Sequence, residues 1–327
     1  MLLLIIIFYM KNRRNIGRKK IKKVKTKKQR GGSITSKVPK CSPTSGPVVE
    51  KKDGKYNPYE DSCFNVKQLK TIAQKLNNNT KDTEKKIKLT QDKKGLVTQI
   101  NSKFCSDYGN IDFCILDNKK WKGDPDILDS IRSSFSPPRP KGKNEWLNSI
   151  DIRDVMKQYE KKYPKFQFLG PVPIDFQEIG TEVGNLNLKN IKSYKSKIGI
   201  IFNTDPHDQP GEHWISMFID LDNHTLCFFD STGDEPSKQI VNLIEKLVKQ
   251  SKRMGITSYL KPIINKTQHQ FQDSECGVYS LYFILQRLQG KTCEKIFKEK
   301  IHDKDMNKNR KVIFSDRLPN ILEAFAF

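Results

Sequence analysis

A chain of 327 residues, 35% of them hydrophobic, has room for two compact units plus a tail and enough apolar matter for an ordinary core, which excludes a wholly disordered protein. Its formal charge of +23 is unevenly placed: Met1 to Lys55 holds 17 Lys and Arg against Glu50 and Asp53, so that segment alone carries +15. Seven scattered cysteines, odd in number, show neither a disulfide framework nor paired Cys-x-x-Cys zinc ligands, and the simpler expectation is a reducing compartment.

The first ten residues, MLLLIIIFYM, are uniformly apolar, yet a helix needs about 20 residues to cross a bilayer, so no spanning segment is expected here. A secretory signal carries its basic residues before the apolar stretch, whereas here the basic block follows. The run is expected to be an unstructured extension or a weak membrane or capsid anchor. Lys11 to Arg30 contains twelve basic residues and no acid, the composition of a disordered polycation. Such a run suits nucleic acid or another polyanion through counterion release, or serves only as a solvated arm. Residues 31–58 mix Gly, Ser, Pro and Lys without periodicity and read as a linker, so residues 1–58 form one tail.

In the next segment Val66, Leu69, Ile72, Ala73 and Leu76 recur at helical spacing, and Leu96, Val97, Ile100 and Phe104 do the same. Two amphipathic helices follow, with a polar loop between them and the Pro-rich FSPPRPKGKN after them. Residues 59–144 are expected to be a small helical arm with its connection, packing against the rest, holding substrate, or presenting lysines to nucleic acid.

Residues 145–327 change character. WLNSIDIRDVMKQYEKKYP reads as a helix ended by Pro164, KIGIIF at 197–202 as a buried strand, and HWISMFIDL with TLCFFDS as a hairpin turning at DNHT. Ile240, Leu243, Ile244, Leu247 and Val248 mark an amphipathic helix over Pro236 to Lys252. CGVYSLYFILQRLQG is apolar on every side, a helix buried all round, with Gly290 suited to end it. The fold class is α+β.

A cysteine nucleophile must be a thiolate, and a helix N-terminus and an adjacent imidazolium both favour that form. Cys276 stands at the start of the buried helix, where Gly277 permits close approach of a substrate backbone. Of the five histidines, His213 opens a strand beside Trp214, and Asp230 ends the neighbouring strand, placed to hold the ring in the right tautomer. Gln270 can donate to an oxyanion. Each element alone is weak: a cysteine at a helix start is more often structural, a His-Trp pair often core, and Asp230 with Ser231 and Gly233 a turn. Their concentration in one unit is what raises their weight.

These strings, HWISMFIDLDNHTLCFFDS and QFQDSECGVYSL, resemble the adenain and SUMO-protease superfamily of cysteine proteases. The family's spacing of His-Trp, acid, Gln and Cys-Gly is met here, with seventeen residues from His213 to Asp230 and six from Gln270 to Cys276. The resemblance covers Glu145 to Gly290 and looks most like the polyprotein-processing proteases of large DNA viruses such as African swine fever virus. It implies an adenain-like core, Cys276 as nucleophile, His213 as general base, Asp230 as orienting acid, Gln270 as oxyanion donor, and Trp146 and Trp214 as walls flattening a channel for Gly-Gly. Glu275 and Gln272 depart from the SUMO proteases' usual Asp and Asn, which bears on substrate more than on chemistry.

The implied function is a cysteine endopeptidase processing viral structural polyprotein after Gly-Gly-X sites, without metal or cofactor, in the virion and the host cytoplasm. The chain's own Gly31–Gly32 is then a candidate site of self-cleavage. The alternatives are a protease removing a SUMO- or ubiquitin-like modifier, and a nucleic-acid-binding virion protein on a protease-derived core. A zinc site from His207, His213 and Cys227 fits no standard spacing.

Overall fold

The computed structural model describes residues 41–42, 62–106, 111–117, 130–131, 133–140, 142, 144–254 and 259–315. The expectations for the apolar and polybasic leader and for Gly31–Gly32 lie outside them.

Val66–Asn79 (α1) and Lys93–Phe104 (α2) form where the helical spacing places them. Each starts at a side-chain cap: Asn65, in a capping box with Gln68, and Asp92. Their buried Leu69, Ile72, Leu96 and Val97 share a core cluster with Ile111 and Ile115 of Ile111–Asp117 (α3), a helix the periodicity did not announce, and with Phe64 and Phe135.

Ser149–Lys162 (α4) is capped by Asn148 with Asp151 closing the box, and turns Ile152, Val155 and Met156 inward. A five-stranded sheet follows: Phe166–Phe168 (β1), Lys197–Asn203 (β2), Trp214–Asp220 (β3), Thr225–Phe229 (β4) and Lys261–Ile264 (β5), adjacent in that order. The β2, β3 and β4 strands are mutually antiparallel, and the two outer strands join parallel.

Successive side chains of a strand point to opposite faces, and the buried β3 strand sorts its residues accordingly. Trp214 and Phe218 enter one cluster, while Ile215, Met217 and Ile219 enter the other. The second face is covered by Leu188–Lys192 (α5) and by Lys238–Arg253 (α6), which buries Ile240, Leu243, Ile244, Leu247 and Val248 as expected. The first face carries Cys276–Leu288 (α7), enclosed by α4, Cys293–Lys298 (α8) and Asp303–Ile313 (α9). Gly199 on β2 makes room for that layer, because a Cβ there would lie 2.9 Å from the Phe166 ring and 3.2 Å from Ile284. The architecture is α+β, a mixed sheet flanked by helices, with the cysteine-bearing helix buried against it.

The cysteines depart from expectation. Cys41–Cys63, Cys105–Cys114 and Cys227–Cys293 are disulfide-bonded, with Cα separations of 5.1, 5.7 and 6.3 Å, and Cys276 is the free thiol. The partners lie 22, 9 and 66 residues apart on different elements, so linear spacing could not pair them. This removes the ground for inferring a reducing compartment. Among the described residues no helix is long and apolar enough to cross a membrane.

Candidate active site

Cys276 is the first residue of α7 and is buried. The preceding Glu275 makes no side-chain cap, so the N–H groups of the first turn stay free of a competing carboxylate at the helix's positive end. His213 lies directly before β3 and Asp230 directly after β4. Because Ser216 pairs with Phe229 in an antiparallel ladder, the start of β3 meets the end of β4, and the two side chains come together.

His213 Nε2 lies 2.8 Å from Asp230 Oδ1, and Cys276 is among the groups whose interaction raises the ring. With Nε2 engaged by the carboxylate, Nδ1 is the nitrogen left for the sulfur. Burial alone would push this imidazole down; hydrogen bonds to Asp230 and Cys276, with their charges, outweigh it and raise the ring to about 10. These partners favour the imidazolium form of the ring. Asp230 is itself held: Thr232 donates to the same Oδ1 from its backbone N–H (2.9 Å) and its hydroxyl (2.7 Å), and Asn265 Nδ2 donates to the Asp230 carbonyl at 2.7 Å.

Gln270 is buried beside this pair through Ser231. The Ser231 carbonyl accepts from the backbone N–H groups of His269 and Gln270, both at 2.8 Å, and its hydroxyl donates to Gln270 Oε1 at 2.7 Å. Because a hydroxyl can donate or accept, it is the acceptor-only Gln272 carbonyl that fixes which end of the amide carries the donors. Gln270 Nε2 in turn donates to the Gln272 carbonyl at 2.5 Å, occupying one of its two hydrogens.

The other histidines are engaged elsewhere. His207 pairs with Asp175 at 2.5 Å on the surface, His224 sits in the hairpin turn with φ 54°, and His302 precedes α9. His269 lies between Phe229 and Tyr279, ring centroids 5.4 and 6.3 Å away, where burial and the Lys300 charge push it down. Zinc binding by His207, His213 and Cys227 does not fit, since each is committed to another partner. Among the described residues, no group of three or more His, Cys, Asp or Glu is placed to hold a metal ion.

The tryptophans and Gly277 come out differently from one another. Trp146 is 45% exposed, whereas Trp214 is 6% exposed and its indole N–H donates to the Leu147 carbonyl at 2.8 Å. The segment bearing Trp146 is thus pinned beside Trp214. Gly277 also serves packing, since a Cβ there would lie 3.0 Å from Leu147 Cβ. Sequence reasoning passed over Thr232, Asn265 and Ser231's link to Gln270. The run DST, an acid followed by two hydroxyl residues at a strand end, was the available signal for two of them.

A model of the family described as "Ulp1 protease family, C-terminal catalytic domain" matches residues 150–318. The chain belongs to that family. It is 32% identical over 280 residues to a protein of Acanthamoeba polyphaga mimivirus named as a thiol protease, covering 80% of this chain and 92% of that protein. It is 26% identical over 205 residues to a cysteine protease of African swine fever virus, covering 58% of this chain and 75% of the relative. The crystal structure of a protease of that virus superposes with a TM-score of 0.58 at 19% identity, over 87% of this chain and 98% of that one, so the fold is shared. The chain is a cysteine protease of the adenain and Ulp1 superfamily.

Proposed function

We propose that this protease cuts viral structural polyprotein after Gly-Gly-X segments, with Cys276 as nucleophile, His213 and Asp230 completing the triad, and Gln270 with the Cys276 backbone N–H as oxyanion donors. The observation that carries it is the 2.8 Å contact between His213 Nε2 and Asp230 at adjoining strand ends, with the free, buried Cys276 at the start of α7 among the groups that raise the ring.

In this mechanism the thiolate attacks the scissile carbonyl carbon, and its π electrons move onto oxygen, where the two donors stabilise them. Collapse of that intermediate breaks the C–N bond, and the leaving amine takes the proton from the His213 imidazolium. The neutral ring then accepts a proton from water as the water attacks the thioester. The second collapse breaks the C–S bond, restores the thiolate–imidazolium pair and releases the acid product, which gives up its proton to solvent.

Trp146, exposed, and Trp214, fixed to Leu147, support a channel that favours residues without Cβ. The polybasic leader is proposed to hold the enzyme on nucleic acid or another polyanion in the virion and at assembly sites in the host cytoplasm. A second reading, cleavage of a SUMO-like modifier, is favoured by the name "SUMO-1 cysteine protease" that the relative carries in some African swine fever virus isolates. Incubating the purified enzyme with Gly-Gly-Ala peptides and, in parallel, with a SUMO precursor separates the two. Cleavage of the peptides, absent in Cys276→Ala, supports polyprotein processing; cleavage of the precursor alone overturns it.

A further inference from the structure

The proposed oxyanion donors stand at the two ends of a short loop, Phe271 to Glu275, whose first three residues are exposed. An exposed loop drifts unless something behind it holds it, and a small misplacement of a transition-state donor is costly, on the order of 10²-fold in rate for about 1 Å. The Gln270 end is held by Ser231. The cysteine end is held by a different part of the chain.

That part is α9. Asp303, Asn307 and Arg310 are spaced four and three residues apart, which puts them on one helix face. Asp303 Oδ2 accepts from the Phe271 backbone N–H at 2.9 Å. Asp303 Oδ1 lies 3.2 Å from the Tyr279 hydroxyl of α7, which also reaches the Ile301 carbonyl at 2.7 Å. Asn307 Nδ2 donates to Glu275 Oε1 at 2.8 Å. Arg310 donates from Nε to Glu275 Oε2 at 2.8 Å and from Nη2 to the Ser274 carbonyl at 2.9 Å. Glu275 and Arg310 are both buried, so neither charge has solvent as a substitute partner. Three successive positions of one helix thus grip the start and the end of the loop.

We propose that α9 is a polar brace for the oxyanion site, and that Asp303, Asn307 and Arg310 are positioning residues for proteolysis, acting through the loop without touching substrate. The inference rests on the catalytic roles proposed above. It separates two properties that a damaged core would lose together. Alkylation of Cys276 by iodoacetamide needs the thiolate and His213 but develops no oxyanion, whereas peptide cleavage and reversible binding of a peptide aldehyde both do.

The experiment compares wild type with Glu275→Gln/Arg310→Met, which removes both buried charges together so that neither is stranded. The expected result is a kcat lower by about 10- to 100-fold with KM within about twofold, aldehyde affinity lower by a similar factor, and an unchanged alkylation rate. Retained kcat in the folded double variant overturns the proposal, and so does a fall in alkylation that parallels kcat. If the double variant does not fold, Arg310→Lys and Asp303→Asn take its place. A lysine keeps the charge but lacks the planar fork whose Nε and Nη2 reach Glu275 and Ser274 separately, so the same split is expected at a smaller size, about 3- to 10-fold in kcat. No split in either variant overturns the idea. A wild type that neither cleaves nor is alkylated at Cys276 refutes the underlying catalytic assignment instead.

Discussion

His213 and Asp230 ride on neighbouring strands whose register brings them together, whereas Gln270 and Cys276 stand at the ends of a loop that α9 and Ser231 hold from outside. In the first case a single hairpin, its two residues seventeen apart in sequence, encodes the geometry locally, and the 2.8 Å contact follows from strand pairing. In the second, the decisive contacts span 32 to 39 residues and pass through side chains on another element. The first half should tolerate changes elsewhere in the chain, and the second should be sensitive to them.

The largest effects come from removing a reacting group on either side. Cys276→Ala and His213→Ala are each expected to lower peptide cleavage by on the order of 10⁴-fold or more, since members of such a unit act together. Circular dichroism should show both folded, because alanine fits the first turn of α7 and His213 is partly exposed. Residual cleavage above about one per cent by either folded variant would remove that residue from the mechanism.

Next in size is the test of the loop side alone. If Gln270 acts as proposed, Gln270→Ala should lower kcat by about 10²- to 10³-fold, the usual consequence of losing one oxyanion donor. Ser231→Ala keeps the donor but removes one of the two bonds that orient the amide, leaving the Gln272 carbonyl alone, so a loss of about 10-fold in kcat is expected. Equal losses in the two variants would mean that Ser231 does more than orient Gln270, and no loss in either would move the oxyanion site elsewhere.

The strand side predicts a smaller change and a diagnostic pH shift. Asp230→Asn should cost about 10-fold in kcat/KM, because an amide oxygen can still accept from His213 Nε2. The N–H and hydroxyl of Thr232 point at that same atom and select the oxygen-inward rotamer. The carboxylate's charge is lost, however, and it helps raise the ring to about 10 from an ordinary 6.5. For a group raised on folding, the stabilising ion pair is fully present below 6.5 and lost as pH rises through about 10. The alkaline limb of kcat/KM should therefore fall near 10 in wild type and at distinctly lower pH in Asp230→Asn. An unmoved limb would assign it to a group other than His213.

The same contrast explains what could be read from the sequence. The spacing of Ile240, Leu243, Ile244, Leu247 and Val248 is a local property, and so is the alternation in WISMFID, so α6 and β3 were legible. His213, Asp230 and Cys276 could be singled out as candidates because strand ends and a helix start advertise themselves in one dimension. Asp303, Asn307 and Arg310 look like the solvated face of a short polar helix, and nothing local says that they meet Phe271, Ser274 and Glu275. The packing need at Gly277 was hidden for a related reason, because the side chain that meets its missing Cβ belongs to Leu147, far back in the chain.

The smallest effect on catalysis is expected where the sequence was most misleading, at the cysteines. Cys227 on β4 is tied to Cys293 at the start of α8, closing a loop of 66 residues that contains Gln270 and Cys276. By the chain-entropy account, Cys227→Ala with Cys293→Ala should lower unfolding free energy by about 2–4 kcal/mol. Yet Cys227 sits on β4 ahead of Asp230, within a ladder that needs no cross-link, and the loop's own anchors come from Ser231 and α9. Urea unfolding should therefore show the loss while kcat per folded molecule stays within about twofold. A kcat that falls with the cross-link would mean that the disulfide, and not the strand register and the α9 brace alone, sets the distance between the two halves of the site.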